Sequence, residues 1–300
     1  MAEDLSRLAA GVWGVAAVTA CAELGILDAL NEGREVDADV PPALASRLLD
    51  VLVAMGFAER TEAGYVGTSA LAGRSPAFLA ADGASGVLQA ADLVRRAAAG
   101  TLSEWWEHAD PLILQAQGTM SAAGVPQLEP IFPADASAFL DVGAGVGAIS
   151  IALCRRYRSL RAVGLEPLDA ARDLAARNVS AAGLSDRIEL RAQRVQELED
   201  EEAFDVAWLP LSFLPASILP AALARVFRSL RAGGLLLTAT HGGGGDDLPG
   251  AAARLRAVLW GGEPVPPADV ASMLTAAGFS EVAEGRIPGS SLVPMQARRR

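Results

Sequence analysis

The sequence predicts an α/β fold, a mostly parallel sheet preceded by a helical unit that ends in a small hairpin. Three observations lead there. The segment Phe139-Leu-Asp-Val-Gly-Ala-Gly-Val-Gly-Ala-Ile-Ser150 passes from an apolar run through an acid and three alternating glycines into a helix-like stretch. From residue 136 onward, short apolar runs alternate with helical periodicity, a rhythm that gives parallel strands joined by right-handed crossovers. The first 73 residues read instead as helices followed by two short strands. A chain of 300 residues is ample for more than one core.

The elements follow in order. Residues 3 to 30 predict a long buried helix with Leu5, Leu8, Val12, Val15, Thr19, Ala22 and Ile26 at three- and four-residue spacing, broken at Gly25. Pro41 and Pro42 open another helix, where proline is tolerated in the first turn. Leu44, Leu48, Leu52 and Met55 form its apolar face, and Gly56 suits its end. Phe57 to Arg60 and Tyr65 to Thr68 flank a turn at Ala63-Gly64 and predict a hairpin. Helices followed by a two-stranded wing make a winged-helix unit. Residues 74 to 133 are helical and mixed: Val87 to Ala99 reads as one helix, and a Gly/Pro-bearing stretch runs to Pro133. Beyond it, strands are expected at 137–142, 161–166, 187–192, 204–209 and 234–240. Helices are expected near 147–157, 168–182, 217–231 and 266–277. Glu281 to Arg286 and Leu292 to Ala297 would close one edge as an antiparallel hairpin.

Charge and composition narrow the function. The formal net charge is −11, which opposes nucleic-acid binding, where a basic face is expected. Only Arg47 marks the candidate recognition helix, too little positive charge for phosphate contacts. All 25 basic residues are Arg, so lysine chemistry is excluded. Cys21 and Cys154 lie in apolar helical stretches of different predicted domains, and read as buried hydrophobes rather than a disulfide. With two Cys and two His the chain offers no metal-ligand cluster. Leu8 to Ala22 carries no charge, but Glu3 and Asp4 precede it and it is too short to span a bilayer. The reading is a cytoplasmic protein with no membrane segment.

The glycine loop predicts a nucleotide-like cofactor, because bare backbone N–H groups at a helix N-terminus admit close approach. Two cofactor classes fit. Gly143, Gly145 and Ala148 satisfy the dinucleotide spacing, with Glu166 the acid about 20 residues on. Asp141, Gly143, Gly145 and Gly147 also satisfy a tighter form, acid-x-Gly-x-Gly-x-Gly. That form resembles the first motif of the class I methyltransferases that use S-adenosylmethionine (SAM). Leu230-Arg-Ala-Gly-Gly-Leu-Leu-Leu237 and Leu274-Thr-Ala-Ala-Gly-Phe-Ser-Glu-Val282 extend the resemblance over residues 136 to 297. Neither tag belongs to a dinucleotide fingerprint. The N-terminal layout is similar to the dimerisation domain of small-molecule O-methyltransferases.

The resemblance implies a Rossmann-like class I methyltransferase sheet behind an all-helical, winged-helix N-terminal domain. The expected divisions are 1–73, dimerisation; 74–133, linker and substrate roof; and 134–300, SAM binding. It implies that Glu166 accepts both ribose hydroxyls and that Pro167 and Leu168 pack on the adenine. Family members usually place an Asp after the third strand for the adenine amino group. Arg194 stands at that position here, leaving the backbone of Arg194 and Val195 to read the adenine edge. Trp208 and Leu209 at the end of the fourth strand would lie over the methyl donor, with Ser212 and Phe213 towards the acceptor. Trp105, Trp106 and His108 would line the acceptor pocket. The catalytic His that relatives carry soon after the fourth strand is missing from Ser212 to Pro220, which has no His, Asp or Glu. His241, after the fifth strand, is the remaining candidate base. The expected protein is a homodimeric methyltransferase of a small, largely apolar molecule in bacterial specialised metabolism. The rival readings are a SAM-binding enzyme of cyclisation or decarboxylation, an acidic ligand-sensing winged-helix regulator, and an NAD(P)-dependent dehydrogenase.

Overall fold

The computed structural model describes residues 5–72, 75–103, 106, 108–241, 247–286 and 292–300, the side chains of Leu5 and His241 excepted. The chain forms two units, one of residues 1–101 with 115–124, the other of 102–114 with 125–300.

The first unit holds α1 (Leu5–Glu23), α2 (Ile26–Asn31), α3 (Pro42–Ala54), the strands β1 (Ala58–Thr61) and β2 (Gly64–Gly67), and α4 (Pro76–Ala99). Its core gathers Val18, Cys21, Ile26, Leu27, Leu30, Leu49, Leu52, Ala58 and Leu71. The break between α1 and α2 falls at Gly25, in the left-handed region at φ 70°. The face of α1 differs from the one expected. Leu8, Val12 and Val15 are exposed, whereas Ala17, Val18 and Cys21 are buried. The helix is apolar nearly all round, so periodicity alone could not choose its inner face. Val18 and Cys21 turn towards α2 and α3, while α4 seats on the expected stripe at Gly83, where a β-carbon would sit 2.1 Å from Thr19 Oγ1.

In α3 the buried positions are Leu49 and Leu52, while Leu44 and Met55 are exposed, a rotation from the expected face. Arg47 pairs at 2.7 Å with Asp50 on its own helix. The helix expected to begin at Val87 begins instead at Pro76, because Ser75 Oγ accepts the Phe78 N–H at 3.3 Å and proline occupies the first turn.

The stretch to Pro133 also folds further than expected, into α5 (Pro111–Ala123) and α6 (Val125–Leu128). The second unit then builds a seven-stranded sheet. Its strands are β3 (Ala138–Val142), β4 (Arg161–Leu165), β5 (Ile188–Arg191), β6 (Phe204–Pro210), β7 (Leu230–His241), β8 (Phe279–Glu284) and β9 (Leu292–Arg299). The order is β5-β4-β3-β6-β7-β9-β8. The first five are parallel; β9 runs antiparallel to β7, and β8 to β9. Helices α7 (Ala148–Arg156), α8 (Asp169–Ala181), α9 (Leu219–Ser229), α10 (Leu248–Leu259) and α11 (Pro267–Ala276) complete it.

Alternation along the strands sends side chains to two cores, as a sheet covered on both faces requires. Phe139, Val206, Leu235 and Leu237 enter one, with Leu153 and Val179. Leu140, Ala207, Leu209 and Leu236 enter the other, with Leu223 and Leu274. Strand order reverses between β4-β3 and β3-β6, which sets a switch point at the carboxyl ends of those strands. Among the described residues, no helix is long and apolar enough to cross a membrane.

Candidate active site

The loop between β3 and α7 occupies that switch point. Gly143, Gly145 and Gly147 all adopt left-handed φ values, 66°, 55° and 77°, which a β-carbon disfavours. Ala144 N–H donates to Leu165 O at 3.0 Å, tying the loop to the end of β4. The tuck needs Gly164, whose added β-carbon would lie 2.8 Å from that of Ala144. Asn178 Nδ2 donates to Val146 O at 3.0 Å from α8. At Gly145 a β-carbon would meet nothing nearer than Gly143 O at 4.0 Å, so this backbone edge is open.

Two buried carboxylates face the loop. Asp141, 1% exposed, accepts from Ser150 Oγ at 2.6 Å through Oδ2, while its buried Oδ1 has no partner. Burial pushes its carboxyl up to about 6, opposed by the Ser150 hydrogen bonds and reinforced by the Glu166 charge. Glu166, 6% exposed, accepts from Gly145 N–H at 2.9 Å and from Leu168 N–H at 2.8 Å. Burial also raises its carboxyl, against the pull of those two N–H groups and of Arg172. The pair of desolvated acids beside the glycine loop suits a ligand that brings both a cation and hydroxyl donors. A sulfonium, an amino group and a ribose meet that description, so these residues fit SAM.

An apolar wall stands beside them. Trp106 and Leu114 pack in one cluster with Val146 of the loop, Ala148 of α7 and Leu168. Trp106 meets His108 edge-on at 4.3 Å and Phe213 edge-on at 5.4 Å between ring centroids. Phe213 stacks on Trp260 at 4.7 Å with the planes 7° apart. Pro210, 3.5 Å from where a β-carbon would stand on Gly143, carries the chain from β6 past the loop to Ser212 and Phe213.

The candidate residues distribute as follows. Asp141, the three glycines, Glu166, Leu168, Trp106, His108, Ser212 and Phe213 converge on the carboxyl ends of β3, β4 and β6. Pro167 is exposed beside them. Trp208 pairs in register with Asp141 and packs in the opposite core from Leu209. Leu209 is fully buried, and its carbonyl accepts from Thr238 Oγ1 at 2.6 Å. Arg194 is exposed at the end of β5, its N–H held by Glu197 Oε2 at 3.0 Å, and the Val195 side chain is buried in the core. His241 ends β7 opposite Leu292, two residues past the partner of Pro210. Its side chain and all of Trp105 lie outside the described residues. Gly164, Ser150 and Asn178 shape the site without having been singled out by sequence. Only a contact seen in three dimensions marks them.

A family profile described as a methyltransferase domain matches residues 139–234, the stretch from β3 into β7. No curated protein matches the sequence at a significant level. Solved structures match over nearly the whole chain. The pyocyanin biosynthetic protein PhzM is 17% identical, covering 99% of this chain and 98% of its own, at a TM-score of 0.67. Human N-acetylserotonin methyltransferase, solved with SAM, is 17% identical with 99% of each chain covered and a TM-score of 0.62. An O-methyltransferase family protein from Burkholderia thailandensis is 19% identical, covers 99% and 97%, and also scores 0.62. Residues 139–234 thus match a methyltransferase-domain profile, and the chain as a whole shares the fold of these solved methyltransferases.

Proposed function

We propose that this protein transfers the methyl group of SAM to a small, largely apolar acceptor in bacterial specialised metabolism. The observation that carries the proposal is the left-handed glycine loop laid against the Glu166 carboxylate, with an aromatic wall beside it. PhzM and the mitomycin 7-O-methyltransferase MmcR, at a TM-score of 0.61, support the metabolic setting by their names. SAM supplies an electrophilic methyl on a sulfonium leaving group. Gly143, Gly145 and Gly147 bind along the donor, Glu166 holds its ribose hydroxyls, and Pro167 and Leu168 cover its adenine. With the Arg194 backbone held by Glu197, the Val195 backbone is left to read the adenine edge. Trp106, His108, Ser212 and Phe213 seat the acceptor and exclude water.

Alignment of donor and acceptor does most of the catalytic work. Ser212 to Pro220 carries no His, Asp or Glu, so a proton leaving the acceptor goes to His241, which ends β7 on the ligand side of the sheet. Residues 1–73 serve as a dimerisation domain, 74–133 as linker and roof, and 134–300 as the SAM domain, all working in the cytoplasm. Leu8, Val12, Trp13 and Val15 support a self-association face: they are exposed on one helix, Trp13 at 77%. The test is incubation of the full chain with SAM and a panel of small aromatic acceptors, read by product mass. A gain of one methyl is expected. Conversion of an acceptor with SAM left intact, as an isomer or with loss of carbon dioxide, would point to cyclisation or decarboxylation instead.

A further inference from the structure

Arg172 stands in the first turn of α8, the end of a helix that disfavours a cation. Its side chain is nevertheless only 22% exposed, because it turns back over the connection from β4. Nη1 donates to the Glu166 carbonyl at 3.0 Å and to the Pro167 carbonyl at 3.5 Å, and Nη2 pairs with Asp169. A single guanidinium thus gathers acceptors from both ends of the stretch from Glu166 to Asp169. Its rigid fork of donors makes that possible.

The same stretch fixes the Glu166 carboxylate. Leu168 N–H donates to Oε1 at 2.8 Å, and Gly145 N–H donates to Oε2 at 2.9 Å. An ionised carboxylate offers about four lone-pair sites. Each oxygen therefore keeps a place for a hydroxyl, and a proton on either oxygen would remove one. The charged groups around Glu166 are few. β3 supplies the buried Asp141, which repels it, and α8 supplies Asp169 and Arg172. On β5 the Arg191 carbonyl accepts the Glu166 N–H at 3.0 Å, but the Arg191 side chain is engaged by Glu189 and Asp200. Arg172 is the cation that opposes burial at Glu166.

We infer that Arg172 is a positioning residue for the ribose of SAM, acting through the main chain of Glu166 and Pro167 to present the Glu166 carboxylate to both hydroxyls. The inference rests on the SAM reading of this site. Arg172 touches no part of the donor; its charge keeps Glu166 ionised and its fork keeps the turn in place.

The test is calorimetric titration of the full-length protein with S-adenosylhomocysteine at intervals from pH 5 to pH 8. Titration of the ligand and of Asp141 is common to every variant. Removing the cation lets Glu166 take up a proton at higher pH. In Arg172→Gln the pH at which affinity falls off should therefore move up by about one unit, a loss of about tenfold at the acid end that shrinks towards pH 8. A purely structural role would weaken binding equally at every pH. Arg172→Lys keeps the charge without the fork, so its profile should follow the parent's while affinity drops severalfold. The Lys variant also carries the test if the Gln variant folds poorly. A parallel loss at every pH in Arg172→Gln, unchanged affinity in either variant, or a Lys profile shifted like that of Gln would overturn the inference. Failure of S-adenosylhomocysteine to bind the parent at any pH would instead overturn the SAM reading, so the two failures are distinguishable.

Discussion

Replacing Asp141 with Asn should change how the ligand-free protein responds to pH. Burial raises the Asp141 carboxyl from 3.8 to about 6. Each pKa unit is worth about 1.4 kcal/mol, so the ionised side chain burdens the fold by about 3 kcal/mol at neutral pH. The sign follows from proton binding. Between about pH 4 and pH 6 the folded form holds a proton that the unfolded chain has released, so stability falls as pH rises through that window. Roughly 1.4 kcal/mol of the loss falls between pH 5 and pH 8. Glu166, raised in the same direction, adds to the slope in both proteins. Asn retains an oxygen for the Ser150 hydroxyl but cannot ionise. Its amide adds unpaired donors, a constant cost of about 1–3 kcal/mol at every pH. The informative quantity is therefore the change in the difference between variant and parent. Urea unfolding at pH 5 and pH 8 should show the Asn variant gaining about 1.4 kcal/mol relative to the parent. Parallel stability curves would refute the buried, ionising Asp141.

Four further outcomes follow from the geometry. Gly145→Asp should lower the melting temperature by a few degrees, because φ 55° strains a residue with a β-carbon, yet leave the protein folded and weaken SAM at least about a hundredfold in calorimetry by filling the cleft. Gly262→Ala should cost about 2 kcal/mol or more in urea unfolding and alter the near-ultraviolet circular dichroism, because its methyl group collides with the Ser212 carbonyl beside the Phe213–Trp260 stack. Trp13→Glu should convert a dimer to a monomer in light scattering without loss of helicity, and an unchanged mass would remove α1 from the interface. His241→Ala should lower kcat about a hundredfold with SAM affinity intact, while an unchanged kcat would retire it as the base.

Much of the second unit was legible because its signals are local. Three glycines at alternate positions needed left-handed backbone, and all three have it. Strand–helix alternation gave the sheet, and the terminal hairpin appeared where apolar runs flanked Gly and Pro. The N-terminal unit was less legible. Its first helix is apolar nearly all round, so which face met the core depended on partners in α2 and α3 that its own periodicity does not encode. The Ser75-Pro76 start of α4 was present in sequence but lay within a stretch read as mixed. Ser150, Gly164 and Asn178 act through partners 9 to 32 residues away, distances that a local pattern does not encode. The aromatic wall is the extreme case. Trp106, Phe213 and Trp260 come from three separate connections of the chain, and only the folded sheet brings them together.

The most direct measurement is calorimetric titration of the purified full-length chain with SAM, S-adenosylhomocysteine and NAD. The account predicts micromolar binding of the first two and no heat with NAD. Heat with NAD, or silence with SAM at concentrations well above micromolar, would contradict it.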